Sequence, residues 1–268
     1  MGSSLQPMLI DSHCHLDPAY LPAGPGDVLT RARAAGVGLF VCIGVGRDLG
    51  AARAAVALAG ARKEVFATVG VHPHDAATTD ERGIEEIARL AREPRGVDID
   101  EIGLDFHYDH SPRDVQKAVF RRMIALAREA GKPIVIHTRS APADTLAILE
   151  EEDARDVGGI IHCFSEDRAF AERALALDFD LSFSGILTFK NAHAIREAAR
   201  FAPADRILVE TDSPFLAPVP LRGKTCEPAY IVHTARCLAE LRGQPFDEVA
   251  RQTTANAAKR LGLPLQSD

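Results

Sequence analysis

Residues Pro133-Ile134-Val135-Ile136-His137 and, one segment later, Gly159-Ile160-Ile161-His162-Cys163 decide how this chain folds. Each is a short β-branched run that stays apolar at consecutive positions, the pattern of a strand covered on both faces. Working outward, similar runs occur at Met8–Ile10, Leu39–Ile43, Val65–Val71, Gly96–Ile102, Asp180–Ser184 and Ile207–Glu210. Amphipathic stretches such as Asp27–Ala35, Leu49–Ala59, Arg82–Ala91, Arg113–Ala130 and Asp167–Ala176 lie between them. Gly36, Gly60 and Gly131 follow three of these, where helices favour a glycine C-terminal cap. Strand–helix alternation implies a parallel sheet built from βαβ units. Eight units in 268 residues average about 33 residues each, the spacing of a (β/α)8 TIM barrel. A doubly wound open sheet is the alternative. Pro228–Leu261 reads as two C-terminal helices that close the outer ring. Without a linker or a break in composition, residues 1–268 are expected to form one domain.

Composition narrows the function classes. With 31 Lys+Arg against 38 Asp+Glu the net charge is −7, which argues against an extended basic groove for nucleic acid. The 46% hydrophobic and 26% charged fractions are ordinary globular values. No uncharged apolar stretch reaches the ~18 residues of a membrane span. The start, MGSSLQPMLID, lacks the basic and apolar regions of a secretory signal. Five scattered cysteines without close C-x-x-C pairing fit a reducing cytoplasm, with Cys14, Cys42 and Cys163 expected as buried, inert thiols.

Metal-ligand residue types recur at the strand ends. Asp11-Ser12-His13-Cys14-His15 follows the first strand, and histidines at i and i+2 of an extended chain point the same way. Glu101, His137, His162 and Asp212 end or follow the fourth, fifth, sixth and eighth strands. In a barrel these positions converge on the C-terminal rim. Four imidazoles and two carboxylates exceed one ion and suit two, with Glu101 as the natural bridge.

Taken together, the motifs resemble those of the TatD family. The resemblance rests on Asp11-Ser12-His13-Cys14-His15-Leu16-Asp17, Gly70-Val71-His72-Pro73-His74, Glu101-Ile102-Gly103-Leu104-Asp105, Ile136-His137-Thr138-Arg139, Ile161-His162-Cys163-Phe164-Ser165, Ser184-Gly185-Ile186, Glu210-Thr211-Asp212-Ser213-Pro214, and Arg222-Gly223-Lys224 with Glu227-Pro228-Ala229-Tyr230. It implies a metal-dependent deoxyribonuclease of the amidohydrolase class. It further implies that His13, His15, Glu101 and Asp212 hold one ion and Glu101, His137 and His162 a second. Two departures stand out. Asp100 precedes the bridging Glu where the family commonly has Gly, and strand alternation would turn it away from the metals. Thr225 and Cys226 replace an Arg and an Asn of a loop expected to touch substrate.

The expected activity is phosphodiester hydrolysis of DNA, as a 3′–5′ exonuclease on single-stranded ends, by a monomer in the cytoplasm with no membrane association. Zn, Mn, Mg or Ni all suit the mixed His and carboxylate donors. Asp212 is the expected general base, Glu101 the bridge, and His72 a group facing the scissile phosphate or leaving group. Arg139, Lys190, Arg222 and Lys224 are candidate phosphate contacts. Asp105 is a candidate for orienting a ligand histidine. His74, His107, His110, His193 and His233 are read as structural. Phe106, Tyr108, Phe164 and Phe215 are candidates for stacking on a terminal nucleotide or for packing at the rim. Hydrolysis of another bond in the same two-metal scaffold, such as an ester, a cyclic amide or an aminoacyl-tRNA linkage, is the competing function. Two divalent ions carry four positive charges against two from Glu101 and Asp212, so a locally positive pocket is expected despite the acidic chain.

Overall fold

The apolar runs become strands because the surrounding helices leave them no wet face: every residue of Val65–Val69 and Phe179–Phe183 is buried. In the computed structural model, which describes residues 8–16, 20–21, 24–46 and 48–265, the order is β1 (Leu9–Cys14), α1 (Gly26–Ala34), β2 (Val37–Cys42), α2 (Leu49–Ala61), β3 (Val65–Val69), α3 (Glu81–Leu90), β4 (Gly96–Asp105), α4 (Arg113–Ala130), β5 (Ile134–Arg139), α5 (Pro142–Glu151), β6 (Gly159–Ile161), α6 (Arg168–Ala176), β7 (Phe179–Phe183), α7 (His193–Phe201), β8 (Ile207–Val209), α8 (Ile231–Arg242) and α9 (Phe246–Leu261). Asp17, the end of the first motif, and the initial segment 1–7 lie outside the described residues. Among the described residues no helix is long and apolar enough to cross a membrane.

Neighbouring strands pair in parallel in the order β1 to β8. The two ends of the sheet meet through a parallel bridge between Cys14 and Ser213. The His15 N–H donates to the Ser213 carbonyl at 2.8 Å, and the Asp212 N–H to that of His13 at 2.9 Å. Asp11 fastens the same seam by accepting from the Thr211 N–H at 2.9 Å and hydroxyl at 2.6 Å. The sheet is therefore a TIM barrel rather than an open doubly wound sheet.

Helix ends follow local chemistry. Asp80 and Asp167 accept from the N–H groups of Gly83 and Phe170, each at 2.9 Å, caps worth about 1 kcal/mol apiece. Gly131 ends α4 with φ 62°, the left-handed cap read from sequence. Gly60 does not cap: α2 runs through it to Ala61, and the chain leaves the helix at Arg62 in an extended conformation.

The two C-terminal helices do more than complete a ring. Ala257, Ala258 and Leu261 of α9 share one apolar cluster with Ile10, Val41, Phe66, Val97, Val135, Ile160 and Leu208, one residue from each strand except β7. From β7 comes Asp180, which receives Arg260 of α9 at 2.7 Å and also pairs with Arg206. The chain's last helix thus plugs the barrel opposite the strand ends that carry the histidines. Stability chemistry is kept away from reaction chemistry, as is usual for this architecture.

Two register shifts matter for the site. Between Asp11 and Cys14 the β1 strand carries one more residue than its partner Phe40–Cys42. Between Ile99 and Ile102 the β4 strand likewise carries one more than Ile134–Ile136. These are β-bulges, which break the in–out alternation of side chains. Just beyond the second, Gly103 has φ 137°, and a Cβ there would lie 2.0 Å from the carbonyl oxygen of its β5 partner His137. Gly103→Ala is expected to destabilise the fold by about 2–4 kcal/mol in denaturant unfolding, since backbone rather than a flexible side chain must yield. A loss below about 0.5 kcal/mol would contradict this packing constraint.

Candidate metal centre

The two bulges and four strand ends bring the predicted ligands to one mouth. His13 and Glu101 come from the bulged stretches of β1 and β4, His137 from β5, and His15, His162 and Asp212 from just after β1, β6 and β8. Ligand atoms within 4.8 Å of one another form three groups: His13, His15 and Asp212; His13, Glu101 and His162; and His72, Glu101 and His137. His13 Nε2 lies 3.7 Å from Glu101 Oε1 and 3.8 Å from Asp212 Oδ1, while His15 Nε2 lies 3.6 Å from the same Asp212 oxygen. The His13 and His162 rings stack with centroids 4.1 Å apart. A cavity of about 1070 Å³ opens above, lined by His15, His72, Glu101, His137, His162 and Asp212.

These donors fit a divalent cation on their own chemistry. Both ring nitrogens of His13 are buried without a hydrogen-bond partner, a costly state that a cation shared with Glu101 and Asp212 would relieve at Nε2. Glu101 and Asp212 adopt left-handed backbone, φ 48° and 56°, a local strain typical of functional sites. Burial opposes ionisation of Glu101, yet the facing His13 imidazole at 3.7 Å and the nearby His15 hold its carboxyl well below the usual range. The central acid is therefore an anion among imidazoles.

His72 differs from the other histidines. Its Nδ1 accepts the His74 N–H at 3.1 Å, and burial with the neighbouring His137 pushes its pKa well down. A neutral imidazole whose Nδ1 accepts must carry its proton on Nε2. His72 therefore presents a donor N–H to the cavity, not a free lone pair, although it stands as close to Glu101 and His137 as a ligand would.

A second layer of carboxylates holds the imidazoles. Asp105 Oδ2 lies 2.9 Å from His74 Nε2 and 3.3 Å from His137 Nε2, and its other oxygen accepts the N–H groups of His107 and Tyr108. Gln116 clamps the Asp105 backbone from both sides. Glu210 Oε1 accepts the Cys163 N–H at 2.7 Å and faces His162 Nδ1 at 3.3 Å. Burial disfavours charge on His162, but this carboxylate overrides it and raises the imidazole to about 10. Asp100 is not turned away as strand alternation predicts. The bulge carries its buried carboxylate to 3.5 Å from His13 Nδ1, the face of that ring opposite Glu101. Asp105 and Glu210 also reduce the positive surplus expected from counting Glu101 and Asp212 alone.

Other predicted contacts divide. Arg139 lines the cavity, whereas Lys190, Arg222 and Lys224 do not, and the Arg222 guanidinium lies over Phe189 at 4.1 Å. Phe164 is fully buried against Phe170 and Phe183, and Phe106 packs on the core, so neither faces the cavity. His74 and His110 do line it, as does the half-buried Cys163, whose Sγ is 3.2 Å from Ser184 Oγ. Sequence reasoning gave no role to Glu210 or Tyr20. An acid inside an apolar strand end was the available signal for Glu210, and an aromatic shortly after the His-x-His motif for Tyr20.

Comparison with known proteins identifies relatives over nearly the whole chain. The family described as TatD related DNase matches residues 10–262. Escherichia coli K12 YcfH, described as an uncharacterized metal-dependent hydrolase, is 45% identical over 254 residues, covering 94% of each chain. Klebsiella pneumoniae TatD, described as a 3′-5′ ssDNA/RNA exonuclease, is 34% identical, covering 88% of this chain and 91% of its own. The crystal structure of the E. coli TatD homolog YjjV superposes with a TM-score of 0.89 at 26% identity, covering 97% of this chain and 100% of that one.

Asp100→Asn is expected to weaken Zn²⁺ affinity about 10–100-fold, because His13 loses the carboxylate that orients it. Burial already pushes Asp100 well above the usual carboxylate range, so the amide resembles the resting acid and the metal-free Tm should change little. Competition titration against a chelating dye and thermal unfolding separate the two effects. A lowered metal-free Tm with unchanged affinity would contradict the orienting role.

Proposed function

The chain belongs to the TatD-related DNase family and is a metal-dependent hydrolase, and from that premise we propose that it cleaves the phosphodiester bonds of DNA, removing nucleotides from single-stranded ends in the 3′ to 5′ direction. The observation that carries this reading is the membership of Glu101 in two of the three ligand groups. A carboxylate shared in this way suits a pair of divalent ions, the arrangement that clamps a phosphoryl group. His13, His15 and Asp212 would complete one ion's ligands and His137 and His162 the other's. His72 stays outside the ligand set because its Nε2 carries a proton. The exonuclease description of the Klebsiella relative supports the direction and the single-stranded preference.

When bound, the ions would acidify water and neutralise the phosphoryl oxygens. The remaining work falls to side chains of this chain. Asp212 has one oxygen facing His13 and His15 at the cavity's edge and serves as the base that accepts the attacking water's proton. His72, neutral with Nε2–H toward the cavity, donates a hydrogen bond to a phosphoryl or leaving-group oxygen. Asp105 keeps the His137 ring in place, and Glu210 does the same for His162. Arg139 is the one predicted cation that lines the cavity and is placed to hold a neighbouring phosphate.

Metal-reconstituted protein incubated with 5′-labelled single-stranded DNA is expected to give a descending ladder of products, with slower loss of duplex. Asp212→Asn, with its metals still bound, should lose about 10²–10⁴-fold in turnover, and Glu101→Ala should abolish it. An ester, a cyclic amide and an aminoacyl-tRNA run in parallel test the competing function. Hydrolysis of those alone would overturn the nuclease reading, and full turnover by Asp212→Asn would overturn the assignment of the base.

A further inference from the structure

Large aromatic side chains are rarely left in water, since burying one is worth about 1.5–3 kcal/mol. Among the described residues, Tyr20, Tyr108, Phe201 and Phe215 are the exposed Phe and Tyr side chains. Phe201 lies under the Arg168 guanidinium elsewhere on the surface. The other three, at 42%, 50% and 45% exposure, all line the cavity above Glu101. They form two separate walls. Tyr20 and Phe215 meet edge to face with centroids 5.5 Å apart, and both touch His15 on the Asp212 side. Tyr108 lies parallel to His110 and under Arg139 at 4.7 Å, and reaches the His72 and His137 side through His74.

Resting on the phosphodiesterase reading above, we infer that these walls are two nucleobase platforms. One unpaired base stacks on Phe215 with Tyr20, the next on Tyr108 with Arg139, and the phosphodiester joining them lies over Glu101. Aromatic faces and Arg guanidinium planes accept any base by stacking, each worth about 1–3 kcal/mol. The volume of about 1070 Å³ is at the upper limit of small-molecule sites, in keeping with a two-nucleotide occupant rather than one. Seating both bases separates them from any complementary strand, so a duplex end must fray before it is cut. The platforms also act without a long basic track, which the net charge of −7 disfavours.

The test uses full-length, metal-loaded protein and 5′-labelled oligothymidylate, intact or with an abasic sugar at the terminal or the penultimate 3′ position. The wild type is expected to lose about 10-fold or more in kcat/KM when either base is removed. Phe215→Ala and Tyr108→Ala should each lose a similar factor on the intact strand and cease to discriminate against one of the two abasic strands. Phe215→Tyr and Tyr108→Phe should restore both properties. Equal cleavage of intact and abasic ends by the wild type would overturn the platforms. So would alanine variants that slow on every strand yet keep full discrimination, which would mark the rings as supports for the ligand histidines. No shortening of any strand by the wild type would instead overturn the phosphodiesterase reading itself.

Discussion

One buried carboxylate governs this architecture. Glu101 must be held ionised at the mouth of a barrel, amid His13, His72, His137 and His162, with most of its surface buried. Isolated burial of such a charge is prohibitive, so the fold supplies imidazoles and left-handed backbone at that point. The means is a one-residue bulge in β4, matched by another in β1 beneath His13. The β1 bulge lies beside the seam contacts of Cys14 with Ser213 and of Asp11 with Thr211. Preorganised donors of this kind avoid reorganisation when charge develops in a transition state.

Around that centre the chain separates its tasks by height along the barrel. The floor is apolar and closed by α9, with Arg260 on Asp178 and Asp180 as its charged lock. The rim carries the histidines, and behind them Asp100, Asp105 and Glu210 each face a ring nitrogen. Outward again, His72 offers a proton and the exposed aromatics offer stacking faces. Each layer is specified by different physics: dispersion and ion pairing below, charge-assisted orientation in the middle, and weak, sequence-tolerant contacts at the surface.

This layering explains what could be read from residues alone. Strands such as Ile134–Arg139 and Val65–Val69 were legible because burial on both faces demands continuous apolar runs. The candidate ligands stood out as a set: one histidine at a strand end reads as structural, but four histidines and two acids recurring at such ends point to metal. Bulges were not, since reading a strand with period two presupposes that none exists. That is why Asp100 was expected to face away from the metals and is found beside His13. Gly60 was misread as a cap because a glycine in a packed alanine-rich helix has the same sequence signature as one at its end. Which aromatics face the cavity depended on loop paths: Phe164 turns into the core while Phe215 turns out. The plug formed by α9 was hidden for a similar reason, as an amphipathic helix does not reveal which cluster it covers.

Crystals grown with Mn²⁺ or Zn²⁺ and measured at the metal's absorption edge test the shared carboxylate most directly. Two anomalous peaks about 3.5–4 Å apart, both bonded to Glu101 and neither to His72, are the expected result. A single peak, or two peaks that Glu101 does not bridge, would contradict it.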